Sequence, residues 1–266
     1  MKVVLFCGGL GLRMREASEM LPKPMVPIGN RPILWHLMKY YAHFGHTDFI
    51  LCLGYRAEVI KDYFLNYNEA LSNDFVLSEG GRTIELLGHD IKNWNITFVD
   101  TGLHASIGER LRAVRHHLEG EEYFLANYGD VLTDVPLPDM ISDLREQDKI
   151  ASFLCVHPNY SFHVVRFDEQ HTVREIQEIT TSDVWINGGF FVFRADLFDY
   201  LHEHEDLVEE PFRRLIEEGR LAAYRHDGFW APMDTLKDRQ QLESMLEVGN
   251  GPWRVWQPSA PTPVSR

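Results

Sequence analysis

An α/β domain with a mainly parallel sheet is predicted by three features of this sequence. Short apolar runs alternate with stretches of helical periodicity. The first apolar run ends in glycines, and no repeat or linker divides the chain before its last ten residues. At 266 residues the chain can bury one large core.

The elements follow in order. Lys2 to Cys7 is a Val- and Phe-rich run closed by glycine, which reads as a buried parallel strand. Residues 8–31, rich in Gly, Pro and scattered cations, read as a loop. Ile33, Leu34, Leu37, Met38 and Tyr41 fall at helical spacing, so 33–44 is a helix. Strands follow at Asp48 to Leu53, Asn95 to Val99 and Tyr123 to Asn127, with helices at Ala57 to Phe64, Gly108 to Leu118 and Met140 to Gln147. Ile150 to Val156, Phe162 to Phe167 and Val173 to Ile176 lie close together and suggest an antiparallel addition to the sheet. Gly189 to Phe193 is a further strand, and Pro211 to Glu218 and Leu236 to Glu247 are helices. Residues 1–256 form one domain, with halves at about 1–135 and 136–256. The Pro-rich tail 257–266 is expected to be disordered.

Hydrophobic residues make up 44% and charged residues 25%, ordinary for a soluble globular protein. The net charge of −14 disfavours nucleic acid or anionic membrane as a partner, since both usually require a basic face. No apolar run approaches the roughly 20 residues of a membrane helix, and the apolar start lacks a cleavage site. Cys7, Cys52 and Cys155 are odd in number and far apart, which argues against a disulfide framework or zinc cluster and suits the cytoplasm. His116-His117 and His202/His204 read as solvated helix positions.

Within this acidic chain, residues 1–31 are locally basic: Lys2, Arg13, Arg15, Lys23 and Arg31 face only Glu16 and Glu19. The first strand runs into Gly8-Gly9-Leu10-Gly11-Leu12-Arg13, followed by Leu21-Pro22-Lys23-Pro24. Glycines let backbone N–H groups approach phosphate oxygens. Arg13 can bind a phosphate with two parallel hydrogen bonds and Lys23 can add a point charge. The spacing is neither that of the Walker loop nor that of the dinucleotide fingerprint. Read alone, it could equally be a tight strand-to-helix turn with two solvated cations.

This loop resembles that of the nucleotide-diphospho-sugar pyrophosphorylases, whose signature is Gly-Gly-x-Gly-Thr-Arg with Lys-Pro some ten residues later. The resemblance covers nearly the whole chain up to Trp256 and is closest to the glucose-1-phosphate cytidylyltransferase branch. It is carried by Pro22-Lys23-Pro24-Met25-Val26, Pro32-Ile33-Leu34-Trp35-His36, residues 94–102, Tyr128-Gly129-Asp130, Ile186-Asn187-Gly188-Gly189-Phe190-Phe191, residues 228–235 and Pro252-Trp253-Arg254-Val255-Trp256.

The resemblance implies a Rossmann-like α/β/α fold with a mixed sheet, a homo-oligomer, and transfer of a nucleotidyl group from a nucleoside triphosphate to a sugar phosphate with release of pyrophosphate. CTP and glucose 1-phosphate are the implied pair. Asp130 and Asp234 match the family's Mg²⁺-binding aspartates, although either alone would read as a turn or cap residue. Gly8, Gly9, Gly11, Arg13 and Lys23 match the phosphate-binding positions, with Arg13 and Lys23 as the catalytic cations. Gly108 and Arg110 match the turn that reads the base, where Ser106 could otherwise simply cap a helix. Glu178, Asn187 and Gly188 remain for the acceptor, and Lys237 is a further candidate cation. Several positions depart from the family pattern. Leu12 replaces a Thr and Val131 a Gly. His163 also replaces a Gly, and Ile179 stands where an acceptor-phosphate Lys is expected. Two other readings remain: the same chemistry with another base or acceptor, and a non-catalytic paralogue that only binds a nucleotide sugar.

Overall fold

The computed structural model describes residues 1–9, 21–159, 162–249 and 251–257. Gly11 and Arg13 of the expected phosphate loop, and the tail from residue 258, lie outside the described residues.

A seven-stranded sheet forms the middle layer. Its strands are β1 (Val3–Phe6), β2 (Asp48–Leu53), β3 (Asn95–Asp100), β4 (Tyr123–Tyr128), β5 (Ala151–Val156), β6 (Ile186–Arg194) and β7 (Leu221–His226). Their order is β7-β5-β6-β4-β1-β2-β3. Within this sheet β6 runs antiparallel to both neighbours, and the other pairs are parallel. The sheet is therefore mixed and mainly parallel, as the alternation of apolar runs and helices implies.

The strand period of two explains the three layers. In β1 all four residues are buried. Val3 and Leu5 pack into one core with α1 (Ile33–His43) and with Ile60 of α2 (Ala57–Leu65). Val4 and Phe6 pack into a second core with Leu111 of α3 (Ile107–Ala113). Leu137 and Met140 of α4 (Leu137–Glu146) join the first core. Phe212 and Leu215 of α5 (Glu210–Glu217) join the second, and Leu242 of α6 (Leu236–Glu247) the first. Each fully buried Leu, Val or Phe contributes roughly 1.5–3 kcal/mol, so both faces of the central strands must be covered. Trp253, wholly buried, brings the 251–256 segment back onto α1, where its indole donates to His36 Nδ1 at 3.3 Å.

Three expectations are corrected. The strands His163–Phe167 and Val173–Glu178 pair with each other and do not extend the sheet. Their turn is closed locally by Asp168, whose carboxylate accepts from the Gln170 and Thr172 N–H groups. The position beside β5 is occupied by β7, which the sequence reading omits. The helix expected over 108–118 ends at Ala113 and continues as a 3₁₀ turn over Arg115–Leu118. A second hairpin, Phe75–Ser78 with Thr83–Leu86, was also unforeseen.

Candidate active site

In an open α/β sheet, ligands collect at the carboxyl ends of strands where the connections diverge to opposite sides. Here that point lies between β1, whose chain leads to β2, and β4, whose chain leads to β5 and β6. A cleft of about 780 Å³ opens there, lined by residues that follow both strands and by parts of the 103–110, 186–188 and 230–234 segments.

Asp130 follows β4 directly. Gly129 precedes it, with its N–H donating to Phe6 O at 3.3 Å, and a β-carbon there would come within 3.1 Å of Pro24 and 3.2 Å of Cys7 Sγ. The chain then pairs Val131–Thr133 with Trp230–Pro232 in a short antiparallel ladder. Met233 N–H continues it by donating to Asp130 O at 2.9 Å. This ladder brings Asp234 beside Asp130 across more than a hundred residues of sequence. Val131, the departure from the expected Gly, is a β-branched strand residue buried in the first core.

Asp234 is steadied from its other side. Thr235 caps α6 and forms a capping box with Asp238, and the Asp238 carboxylate also accepts from the Asp234 N–H at 3.0 Å. The backbone of Asp234 is thus tied to a ladder end and a helix start, leaving its carboxylate to face the cleft.

Lys23 meets both carboxylates. It opens a 3₁₀ turn, Lys23–Met25, between Pro22 and Pro24, whose rings restrict the backbone. Its ammonium lies 2.5 Å from Asp130 Oδ2 and 2.5 Å from Asp234 Oδ1. Burial alone would lower the lysine pKa, but Asp130 and then Asp234 outweigh it and hold the ammonium above its ordinary range. The two carboxylate oxygens are therefore at most about 5 Å apart, close to the roughly 4 Å that one hard cation with oxygen distances near 2 Å can span.

The other expected residues divide into two groups. Gly8, Gly9, Arg110, Asn187 and Gly188 line the cleft with Lys23, Asp130 and Asp234. A bulge in β6 turns the Asn187–Gly188 segment toward the cleft. Gly189 and Phe190 both have positive φ there, at 77° and 48°, and Asn127 Oδ1 accepts from the Phe190 N–H. For Phe190 such a backbone is strained. Its ring is held by Tyr40 and Tyr41.

Gly108, Glu178 and Lys237 do not line the cleft. Gly108 packs against the Glu205 carbonyl, which a β-carbon would approach to 2.4 Å. Ser106 caps α3 in a capping box with Glu109. Glu178 is exposed and stands opposite His163 in the hairpin register. Ile179 N–H donates to Phe162 O, so the departures at His163 and Ile179 are neighbours across the base of one hairpin. Lys237 is exposed on the first turn of α6.

Tyr128, Asp206 and Trp230 also line the cleft and were not singled out from the sequence. Burial, with Asp206 and Asp130 nearby, pushes the Tyr128 phenol up to about 12, so it stays neutral. Trp230 donates to Gly188 O at 2.8 Å, joining the 230–234 and 186–188 walls. Tyr128 and Trp230 sit inside recognised motifs. Asp206 carries no local signal.

Residues 2–241 match the sequence model of the nucleotidyl transferase family. The chain belongs to the nucleotidyl transferase family. It is 39% identical over 259 residues to glucose-1-phosphate cytidylyltransferase of Salmonella typhi, an alignment covering 97% of this chain and 100% of that protein. It is 28% identical over 221 residues to the D-glycero-alpha-D-manno-heptose 1-phosphate guanylyltransferase of Campylobacter jejuni, covering 81% and 88%. A crystal structure of UDP-glucose pyrophosphorylase complexed with UDP-glucose superposes with a TM-score of 0.66 at 16% identity, covering 93% of this chain and 98% of that one. That likeness shows a shared fold. This member of the family is a nucleotidyltransferase enzyme. Among its described residues, no helix is long and apolar enough to cross a membrane.

Proposed function

We propose that this nucleotidyltransferase joins the cytidylyl group of CTP to glucose 1-phosphate, with Mg²⁺ as cofactor, giving CDP-glucose and pyrophosphate. The observation that carries the reading is the convergence of Asp130, Asp234 and Lys23 at the mouth of the β1–β4 crevice. The choice of base and sugar rests on the full-length relationship to the Salmonella cytidylyltransferase.

The residues fit a divalent ion. Two carboxylate oxygens already share one positive charge at 2.5 Å each. Among the described residues, no third acidic, His or Cys group joins them, which suits Mg²⁺, an ion that usually takes one or two carboxylates and fills its other positions with phosphate and water. When bound, Mg²⁺ offsets the repulsion between two phosphate-bearing substrates.

The chain's own residues would act as follows. Asp130 and Asp234 hold the ion. Gly8 and Gly9 allow the triphosphate to approach the backbone. Lys23, beside the carboxylates, supplies a point charge to the phosphates. Gly11 and Arg13 complete the phosphate loop, with Arg13 holding the leaving pyrophosphate. Asn187 and Gly188, on the wall opposite, face the acceptor.

In the reaction, an ionised oxygen of the sugar phosphate attacks the α-phosphorus. The bond from that phosphorus to the bridging oxygen breaks, and its electron pair leaves with pyrophosphate. The attacking phosphate is already ionised near neutral pH, so no general base is required. Positioning and charge stabilisation carry the rate.

The reading is tested by incubating the protein with each nucleoside triphosphate and a panel of sugar 1-phosphates in the presence of Mg²⁺, and measuring pyrophosphate release. CTP with glucose 1-phosphate is expected to give the highest kcat/KM. A clear preference for another base or sugar would retain the chemistry and reject the named substrates. Release with no pair would reject the enzymatic reading.

A further inference from the structure

Arg110 is almost wholly enclosed, at 3% exposure, yet its guanidinium lies against Gly8, where β1 gives way to the glycines. It donates from Nη2 to Gly8 O at 3.1 Å and from Nη1 to Leu53 O at 3.1 Å and Thr101 Oγ1 at 2.7 Å. A longer contact runs from Nη2 to Leu103 O at 3.4 Å. These acceptors lie at the carboxyl ends of β1, β2 and β3, so one side chain ties together three strand ends.

Two glycines are shaped around it. A β-carbon at Gly8 would fall 2.0 Å from Arg110 Nη1. One at Gly54 would fall 2.8 Å from Gly8 O and 2.9 Å from Gly102 O, with Arg110 Nη1 at 3.1 Å. The carbonyls of Gly8 and Leu53 also receive local N–H groups, from Tyr55 and Thr101, so the guanidinium completes a network that already exists. All four of its contacts go to uncharged oxygens. Among the described residues Asp100 and Glu109 favour its charge without hydrogen-bonding to it; burying such a cation is costly, and a planar fork of donors suits several fixed acceptors far better than an ammonium does.

We propose that Arg110 is a positioning residue for the nucleotide's phosphates. It does not read the base. It holds the Gly8 carbonyl by a hydrogen bond and places its charge beside Gly8, on the cleft wall that receives the triphosphate. This inference rests on the nucleotidyl-transfer reading, because it assumes that phosphates bind over Gly8 and Gly9.

The test compares the wild-type protein with Arg110→Lys and Arg110→Met, using calorimetric titration with CTP, inorganic tripolyphosphate and cytidine, together with the KM for glucose 1-phosphate. Loss of charge-assisted hydrogen bonds should weaken tripolyphosphate and CTP by the same factor, about tenfold or more for Arg110→Met. Arg110→Lys, which retains the charge but not the fork, should fall in between. Cytidine affinity and the KM for glucose 1-phosphate should stay within about twofold, a split that a general loss of folding could not produce. Weakening of CTP and cytidine with tripolyphosphate unchanged would overturn the proposal and make Arg110 a base reader. Equal weakening of every ligand would overturn it in favour of a scaffold role. If Arg110→Met does not fold, Arg110→Lys decides by the same comparison. A wild-type protein that binds neither CTP nor tripolyphosphate would overturn this proposal and the nucleotidyl-transfer reading together. Wild-type binding with both variants unchanged would overturn this proposal alone.

Discussion

Asp130→Asn and Asp234→Asn should each lower kcat by about a hundredfold or more, with the fold intact. The magnitude follows from removing one strong, pre-placed electrostatic group from a site where charge is redistributed. The structure separates this effect from a folding defect. The backbone contacts that place the two residues are Met233 N–H to Asp130 O and Asp234 N–H to the Asp238 carboxylate, and neither uses the carboxylates being changed. The measurement is pyrophosphate release at saturating substrates over a range of Mg²⁺ concentration, alongside the thermal midpoint. Activity within a few-fold of wild type at moderate Mg²⁺ would remove both residues from the metal role.

Lys23→Met should have two opposite effects. Turnover should fall steeply, because the phosphates lose a cation. At the same time, the nucleotide-free protein should bind Mn²⁺ more tightly, by about ten- to a hundredfold. In this structure the Lys23 ammonium occupies the space between Asp130 and Asp234, and a metal must displace it. Each charge-assisted hydrogen bond is worth roughly 1.5–3 kcal/mol, and a metal entering the variant no longer has to break the two that Lys23 makes. Free Mn²⁺ can be followed by its electron paramagnetic resonance signal in the absence of any substrate, so this readout does not depend on turnover. Equal or weaker Mn²⁺ binding by the variant would show that Lys23 does not compete for the aspartate pair.

These expectations depend on contacts that sequence patterns do not reveal by themselves. Buried parallel strands are easy to read: Asp48–Leu53 is one nearly continuous apolar run, and β1 is ended by the glycines that follow it. The hairpin at 75–86 escapes because all four residues of its first strand are exposed, so no alternation marks a buried face. Glu79, Gly80 and Gly81, all at positive φ, are the turn signal that could have revealed it. Strand β7 escapes because Ala222 and Ala223 are weak strand formers and only part of the strand is buried.

The site divides in a similar way. Lys23, Asp130 and Asp234 stand out through their motifs, and the family resemblance pairs the two aspartates. The contact itself depends on a ladder of three residues on each side, Val131–Thr133 with Trp230–Pro232, too short to announce itself. Arg110 illustrates a different limit. Its motif suggests a residue that touches the nucleotide, and it does line the cleft, but nothing in the sequence foretells its hydrogen bonds to Gly8, Leu53, Thr101 and Leu103. Residue type and position alone do not determine which way a buried guanidinium points.

The most direct measurement is phosphorus NMR of the protein incubated with CTP, glucose 1-phosphate and Mg²⁺. The central claim is that the β1–β4 cleft transfers a cytidylyl group between two phosphates, so CTP and glucose 1-phosphate should disappear together. A sugar-linked diphosphate and pyrophosphate should appear in equal amounts, with little CMP. CMP and pyrophosphate without a sugar-linked product would identify a hydrolase. Unchanged spectra with these substrates and with the other nucleoside triphosphates and sugar 1-phosphates would contradict nucleotidyl transfer at this site.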